Sequence, residues 1–333
     1  NSDWSSDVCS SDLLYREQPP ENPNYHNQKE LYHITDDEYK KMYQPQKFTK
    51  FDIFIQIVMF FVSFGWVRLI LCILLNVVYV ILMIPFVLSH KCKKIQRKLL
   101  GCAIFISRIY VRTLCMTFGV VWVKMNGKVS KENRNFIYNH TTAMDGPLIY
   151  SYSPFTMIMT SGVKKVPYYG KIAEGANTCF VDRSSKHGNS EFLISNMKDH
   201  SKLPIATAPE GKISSGYALF KFRTGSFLTD EVIQPVVLRY RSYFAYCGAG
   251  INWLHDSFLT FAWLSFCCPF TICEMTYLDP IDLGKMKDKT PEEKAIAAEL
   301  IMANALGVRA GDRTNHELFL KKSQENNGKA KNE

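Results

Sequence analysis

Residues 135–150 read NFIYNHTTAMDGPLIY, and this stretch organises the rest of the chain. Asn135 to Tyr138 is a short β-rich run that delivers its end to a polar turn. Pro147 then suits the first position of a helix, with Asp145 or Gly146 as its cap. On one continuous helix, side chains five residues apart point roughly 140° away from each other. His140 and Asp145 therefore meet only if the chain turns between them, as a strand-to-helix turn does. Once paired, the carboxylate holds the imidazole in one tautomer and stabilises its protonated form. The other ring nitrogen is then free to take a proton from a hydroxyl. For His140 alone, a solvated loop histidine beside a helix cap is the plainer reading.

Other polar residues are delivered by strand ends in the same way. Arg183, in FVDRSS, follows an apolar run, where a fixed guanidinium grips a phosphate bidentately. Lys164 and Lys165 precede Pro167 and Gly170 and are further cationic candidates, although surface lysines explain them equally well. Pro209-Glu210-Gly211 follows the strand-like run Ile205–Ala208, and a glycine after the carboxylate permits a tight turn with Glu210 at the strand end. Pro235, in IQPVVL, reads equally well as an edge-strand proline. Two other chemistries lack their signatures. There is no GxSxG nucleophile elbow, and Tyr217 stands where a phosphate-binding loop needs lysine.

Taken in order, His-x4-Asp at 140–145, VDR at 181–183, PEG at 209–211 and QPV at 234–236 resemble the motifs of the glycerolipid acyltransferase family. The similarity is closest to its acyl-CoA-dependent lysophosphatidylcholine and lysophosphatidylethanolamine acyltransferases. It runs from about Asn126 to Tyr240, with weaker echoes to about Asp312. The resemblance implies an α/β fold, a mixed sheet flanked by helices of the glycerol-3-phosphate acyltransferase kind, with an N-terminal membrane hairpin or helix. It implies His140 as general base oriented by Asp145, and direct attack of an acceptor hydroxyl on acyl-CoA without a covalent intermediate. Arg183 would hold the phosphate of the acceptor, Glu210 and Gly211 its glycerol or head group, and Pro235 would lie near acyl-CoA. Acyl-CoA enters as co-substrate, with no resident cofactor and no metal. The chain departs from the family pattern at Asn177, where glycine is usual, and at Ala208 and Lys212, where phenylalanine and threonine usually flank the PEG motif. A glycerol 3-phosphate acyltransferase, a catalytically inactive lipid-binding protein of the same fold, and a hydrolase using the same pair on water are the alternatives.

Composition fits a lipid enzyme. The 333 residues carry a net charge of +9, which suits an anionic membrane surface, an anionic lipid or coenzyme A; no nucleic-acid motif is present. Ten cysteines without CxxC pairs read as reduced thiols in a cytosol-facing protein, not as zinc ligands or a disulfide framework. Residues 1–16, with the repeat in SSDVCSSD, read as non-native, and 17–50 as a mobile polar arm. Residues 51–118 read as membrane-associated helices, with Arg68 dividing the apolar run Phe54–Val67 from Leu69–Leu88. A re-entrant hairpin is slightly preferred to a single span, and basic residues after it favour the cytosolic side of the endoplasmic reticulum or another endomembrane. Arg108 and Arg112 share one face of an amphipathic helix at the interface or under the catalytic domain. The acyltransferase domain is assigned to 119–312 and a disordered tail to 313–333. Asn126-Gly127 predicts a hairpin, the stretch around Tyr217–Gly225 a helix, and the aromatic segment 240–277 either a second membrane contact or core. Oligomeric state is not legible.

Overall fold

Phe136 and Ile137 are neighbours in sequence, yet they bury in two different apolar clusters. This is the strand period of two at work, and it places a sheet at the centre of the molecule with apolar layers on both faces. The computed structural model describes residues 15–18, 25–43, 48–89, 92–160, 164, 169–175, 178–181, 188–246, 249–252 and 257–315. In chain order the strands are β1 (Tyr15–Gln18), β2 (Val120–Asn126), β3 (Asn135–Tyr138), β4 (Met157–Thr160), β5 (Thr178–Val181), β6 (Ile205–Thr207), β7 (Ala218–Leu219), β8 (Val232–Tyr243), β9 (Phe270–Tyr277), β10 (Ile281–Asp282) and β11 (Arg309–Ala310). The helices are α1 (Asp36–Tyr43), α2 (Lys50–Val62), α3 (Gly65–Leu88), α4 (Lys93–Thr117), α5 (Asp145–Tyr152), α6 (Tyr169–Gly175), α7 (Gly188–Lys198), α8 (Phe258–Cys267) and α9 (Pro291–Leu306).

The main sheet runs β2-β9-β8-β3-β6, with β1 and β10 adding to β8. Its pairings are parallel for β2 with β9 and for β3 with both β6 and β8, and antiparallel for β8 with β9. The expected mixed sheet flanked by helices is therefore the architecture. One face packs on residues of α3, α4 and α5, including Met83, Cys115 and Leu148; the other packs on Ala295, Ala298, Met302 and Leu306 of α9. Thr290 and Glu293 close a capping box at the start of α9, and Gly307 ends it in the left-handed conformation.

Half-buried arginines tie the ends of these elements together. Arg68 does not interrupt an apolar helix, as the sequence suggested. It lies inside α3 and donates to the carbonyls of Ser265, Phe266 and Cys268, which the end of α8 leaves without helical partners. The break falls earlier, at Phe64, whose φ of 55° turns α2 into α3. Arg108 and Arg112 lie in α4, beneath the sheet. Arg108 donates to the carbonyls of Ser151 and Tyr152 at the end of α5, and Arg112 to those of Val120 and Val121.

Several local expectations change on contact with the fold. Gly127 does turn, at φ 76°, but β2 pairs with β9 and not with the strand that follows, so Asn126-Gly127 closes no hairpin. An added Cβ there would lie 2.0 Å from the carbonyl oxygen of Tyr277, so the turn passes directly over the end of β9. The stretch 217–225 is not a helix but β7 followed by an extended run and a 3-10 turn at Thr224–Phe227. Residues 240–277 divide: β9 and much of α8 are core, whereas Phe258 and Leu259 project outward.

The segment read as a mobile arm is docked over residues 25–43. Tyr32 exchanges backbone hydrogen bonds with Ala310 and Asp312, Glu38 pairs with Arg309, and Asp36 pairs with Arg313 at 2.8 Å. Ile34, Tyr39 and Met42 bury against Ala218 and Phe220. Its few apolar residues sit where α1 can bury them together, which polar composition averaged over the whole segment conceals. β1, at residues 15–18, crosses the boundary drawn at residue 16 and pairs with the end of β8.

Candidate active site

The end of β3 is held in the sheet by a side chain. Asn139 Nδ2 donates to the carbonyl of Leu238 at 2.9 Å, and its Oδ1 accepts the Leu238 amide at 2.8 Å. The amide thus copies one further rung of the β3–β8 ladder and fixes where the chain leaves the sheet. His140 is the next residue. Its backbone amide donates to Glu210 Oε1 at 2.9 Å, and its carbonyl accepts the Ser214 amide at 2.8 Å. The turn then brings Asp145 back under the ring, with His140 Nδ1 2.9 Å from Asp145 Oδ2.

Asp145 is wholly buried and all its capacity is used. Oδ2 also accepts the amides of Thr141 and Thr142 at 2.8 and 2.9 Å, and Oδ1 accepts the hydroxyl of Tyr240 at 2.7 Å. Three further donors therefore fix the carboxylate that fixes the imidazole. Burial, and next the adjacent Asp145 charge, raise the Tyr240 phenol well above its usual range and keep it a donor. Because the carboxylate can only accept, Nδ1 carries the proton and Nε2 presents a lone pair. The His140 side chain is 24% exposed, and among the described residues Nε2 has no protein partner. The helix cap is Met144, not Asp145 or Gly146, and Pro147 is the third helical residue. That position still loses no helical hydrogen bond, since the first four amides of a helix have no partner within it.

Glu210 lies on the far side of His140, fully buried. Oε1 takes the His140 amide; Oε2 takes the Phe220 amide at 3.2 Å and lies 3.5 Å from the Ser214 hydroxyl. The family resemblance implied a contact to the acceptor. With no exposed surface and both oxygens facing protein donors, this carboxyl braces the His140 turn against the 214–222 loop. Gly211, at φ 74°, makes the turn that sends Glu210 inward. A second buried glutamate repeats the device: Glu299 on α9 accepts the Phe222 amide at 2.9 Å. Burial is the chief cause raising both acids, Glu210 to about 8 and Glu299 well above its ordinary value.

These acids predict how stability changes with pH. Between about 4.5 and about 8 the folded protein keeps a proton on Glu210 that the unfolded chain releases. The stabilisation is complete below that window, falls as pH rises through it, and is absent above. Glu299 acts in the same direction. The melting temperature should therefore fall from about pH 5 to about pH 8, and Glu299→Gln should flatten part of that slope. A wild-type melting temperature that rises over the same range, or a variant with the wild-type slope, contradicts this account.

Of the remaining site candidates, Pro235 and Lys164 fall among the described residues. Pro235 is buried in β8 beside Ile137, not at a sheet edge. Its carbonyl accepts the Leu278 amide at 2.9 Å, just after β9 ends, so the missing donor falls where β8 changes partner from β9 to β10. Lys164 is exposed, with Nζ 6.0 Å from the ring centre of Phe180. Arg183 and Lys165 lie outside the described residues.

Residues 121–239, which carry β2 through most of β8 and with them His140, Asp145 and Glu210, match the family model described as Acyltransferase. Residues 121–239 belong to the acyltransferase family. The chain is 27% identical over 184 residues to the lysophospholipid acyltransferase LPEAT2 of Arabidopsis thaliana, covering 53% of this chain and 33% of that one. It is 29% identical over 170 residues to human lysophosphatidylcholine acyltransferase 1, covering 48% of this chain and 32% of that one. The chain thus matches about a third of the length of these relatives. Among solved structures it is similar to the 1-acyl-sn-glycerophosphate acyltransferase PlsC of Thermotoga maritima. The TM-score is 0.50 at 16% identity, covering 73% of this chain and 95% of that one, a likeness of fold. Tyr240, on Asp145, and Glu299, on the Phe222 amide, buttress the candidate site, and sequence reasoning missed both. Tyr240 is 95 residues from its partner Asp145, and Glu299 occupies a helix whose apolar period drew attention away from its one buried acid.

Proposed function

We propose that this chain transfers an acyl group from acyl-CoA to a free hydroxyl of a lysophospholipid. The observation that carries the reading is the His140–Asp145 pair at 2.9 Å, with Nε2 directed away from the carboxylate on a half-buried ring. The acceptor O–H gives its proton to Nε2 as its oxygen attacks the thioester carbonyl. The tetrahedral intermediate then collapses, the C–S bond breaks, and the departing thiolate takes the proton back from the imidazolium. Asp145 stays ionised throughout. A base so placed contributes ~10²–10⁴-fold. The names of the relatives support the lysophospholipid as acceptor class.

The proposed site of action is a bilayer surface. α3, 24 residues long, and α4 are both long and apolar enough to cross a membrane. Phe51, Phe54, Phe61, Ile70, Leu74 and Ile81 face outward from α2 and α3. Water around so much apolar surface is costly, and lipid removes the cost. We assign the bilayer to the endoplasmic reticulum or another endomembrane. The acyltransferase domain then faces the cytosol, the side to which the positive-inside rule assigns the basic run 91–98.

One preparation tests both parts. Membranes holding the chain should remain in the pellet after high-salt and carbonate washes, and should convert labelled acyl-CoA to labelled phospholipid only when a lysolipid is supplied. Release by salt alone removes the bilayer assignment. Label released as free fatty acid without any acceptor overturns the transfer in favour of hydrolysis.

A further inference from the structure

Arg223 follows a short run in which outward and inward side chains alternate. Phe220 and Phe222 are buried, so Lys221 and Arg223 face out. Lys221 is neutralised by Glu292, with Nζ 2.6 Å from Oε1. Arg223 is not: among the described residues its guanidinium has no hydrogen bond or ion pair with a protein group. It nevertheless has a fixed position. Its backbone amide donates to the Pro209 carbonyl at 3.0 Å, and its guanidinium lies on Gly211, with Cζ and Nε each 2.6 Å from where a Cβ on that glycine would stand. Gly211 is thus held to glycine twice, by its φ of 74° and by the arginine covering it.

This placement bears on the catalytic turn. Glu210 precedes Gly211, and its oxygens are spent inward on the His140 and Phe220 amides, so Arg223 is not there to balance that acid. One face of the guanidinium is occupied by the turn, while its edge keeps a planar set of N–H donors for solvent. Such a fork is matched to the oxygens of a phosphate ester. We propose that Arg223 is a phosphate-binding residue whose guanidinium, stacked on the turn that joins Glu210 to His140, holds the phosphate of one of the two transfer substrates. The acceptor lipid and coenzyme A share this chemistry. The proposal rests on the transfer reading given above.

The test uses the full chain in detergent micelles, comparing wild type with Arg223→Ala, Arg223→Gln, Arg223→Lys and, as a neighbouring loss of one charge, Lys221→Ala. Steady-state kinetics give KM for lysolipid and for acyl-CoA separately. Equilibrium binding compares lysophosphatidic acid with monoacylglycerol of the same chain, and coenzyme A with pantetheine. Arg223→Ala and Arg223→Gln should raise one KM about tenfold or more with kcat within about threefold, since a bond to a charged group is lost in ground and transition states alike. The phosphate-bearing member of the corresponding pair should lose its binding advantage, Lys221→Ala should not reproduce the effect, and lysine at 223 should restore part of it. A change confined to the lysolipid arm assigns the acceptor phosphate, and one confined to the coenzyme A arm assigns that of the donor. If both KM values stay within twofold and both pairs bind as in wild type, or if Lys221→Ala matches Arg223→Ala, the proposal is overturned. Glutamine keeps a stem to cover Gly211, so it answers the question should alanine fail to fold. Binding also reads out without turnover, so an inactive wild type would end the transfer reading while leaving this inference to be decided by the probes.

Discussion

His140→Ala is expected to lower acyl transfer by about 10²–10⁴-fold while leaving the protein folded and in the membrane fraction. The bonds that hold the turn are independent of the ring. The amide of residue 140 still reaches Glu210, its carbonyl still takes the Ser214 amide, and Asn139 still zips β3 to β8. The imidazole itself is partly exposed and touches Tyr138 edge-on, so its removal opens no sealed cavity. Alanine should therefore remove the base and little else. Initial rates at saturating substrates, set beside thermal unfolding of the same preparation, decide the matter. Transfer within tenfold of wild type by a normally folded variant would remove His140 from the mechanism.

How much of this was readable in advance depends on how local each signal is. The turn between His140 and Asp145 was, because two residues five apart can meet only in a few ways and Pro147 limits them further. The partners that complete the site were not. Tyr240 reaches Asp145 only after β8 has taken its place beside β3, and nothing in the sequence around Tyr240 encodes that adjacency. The stretch 217–225 shows a direct conflict between local and long-range demands. A helix there would spend the amides of Phe220 and Phe222 on its own carbonyls, whereas the fold gives them to Glu210 and Glu299. Two buried acids outbid the local preference, and the chain stays extended. Arg68 misled for a related reason. A charge in an apolar run looks like a boundary until the carbonyls at the end of α8, some 200 residues away, come within its reach.

Asp145→Asn separates the charge of the carboxylate from its work as a scaffold, and the expected loss is about 10²–10³-fold in kcat with little change in KM. The amide oxygen should occupy the Oδ2 place, where three N–H donors from His140, Thr141 and Thr142 converge and an NH₂ group would meet only donors. The amide nitrogen then falls at the Oδ1 place, against the Tyr240 hydroxyl, which can rotate to accept in place of donating. Asparagine thus keeps the turn, and it keeps the proton on Nδ1 with Nε2 as acceptor. What disappears is the negative charge beside the imidazolium that forms as the hydroxyl is deprotonated. A unit charge about 4 Å away is worth about 4 kcal/mol at an effective dielectric of about 20, near a thousandfold in rate. The attraction exists only once the ring is charged, so the loss belongs to the transition state and should appear in kcat. Alanine at 145 should behave differently. It strands the Thr141 and Thr142 amides and the Tyr240 hydroxyl in a buried place, so unfolding at lower temperature should accompany lost activity. Measured together, the two variants give opposite balances of rate and stability. Asparagine with activity within tenfold of wild type, or with an alanine-like drop in melting temperature, would show that Asp145 serves the fold and not the proton transfer.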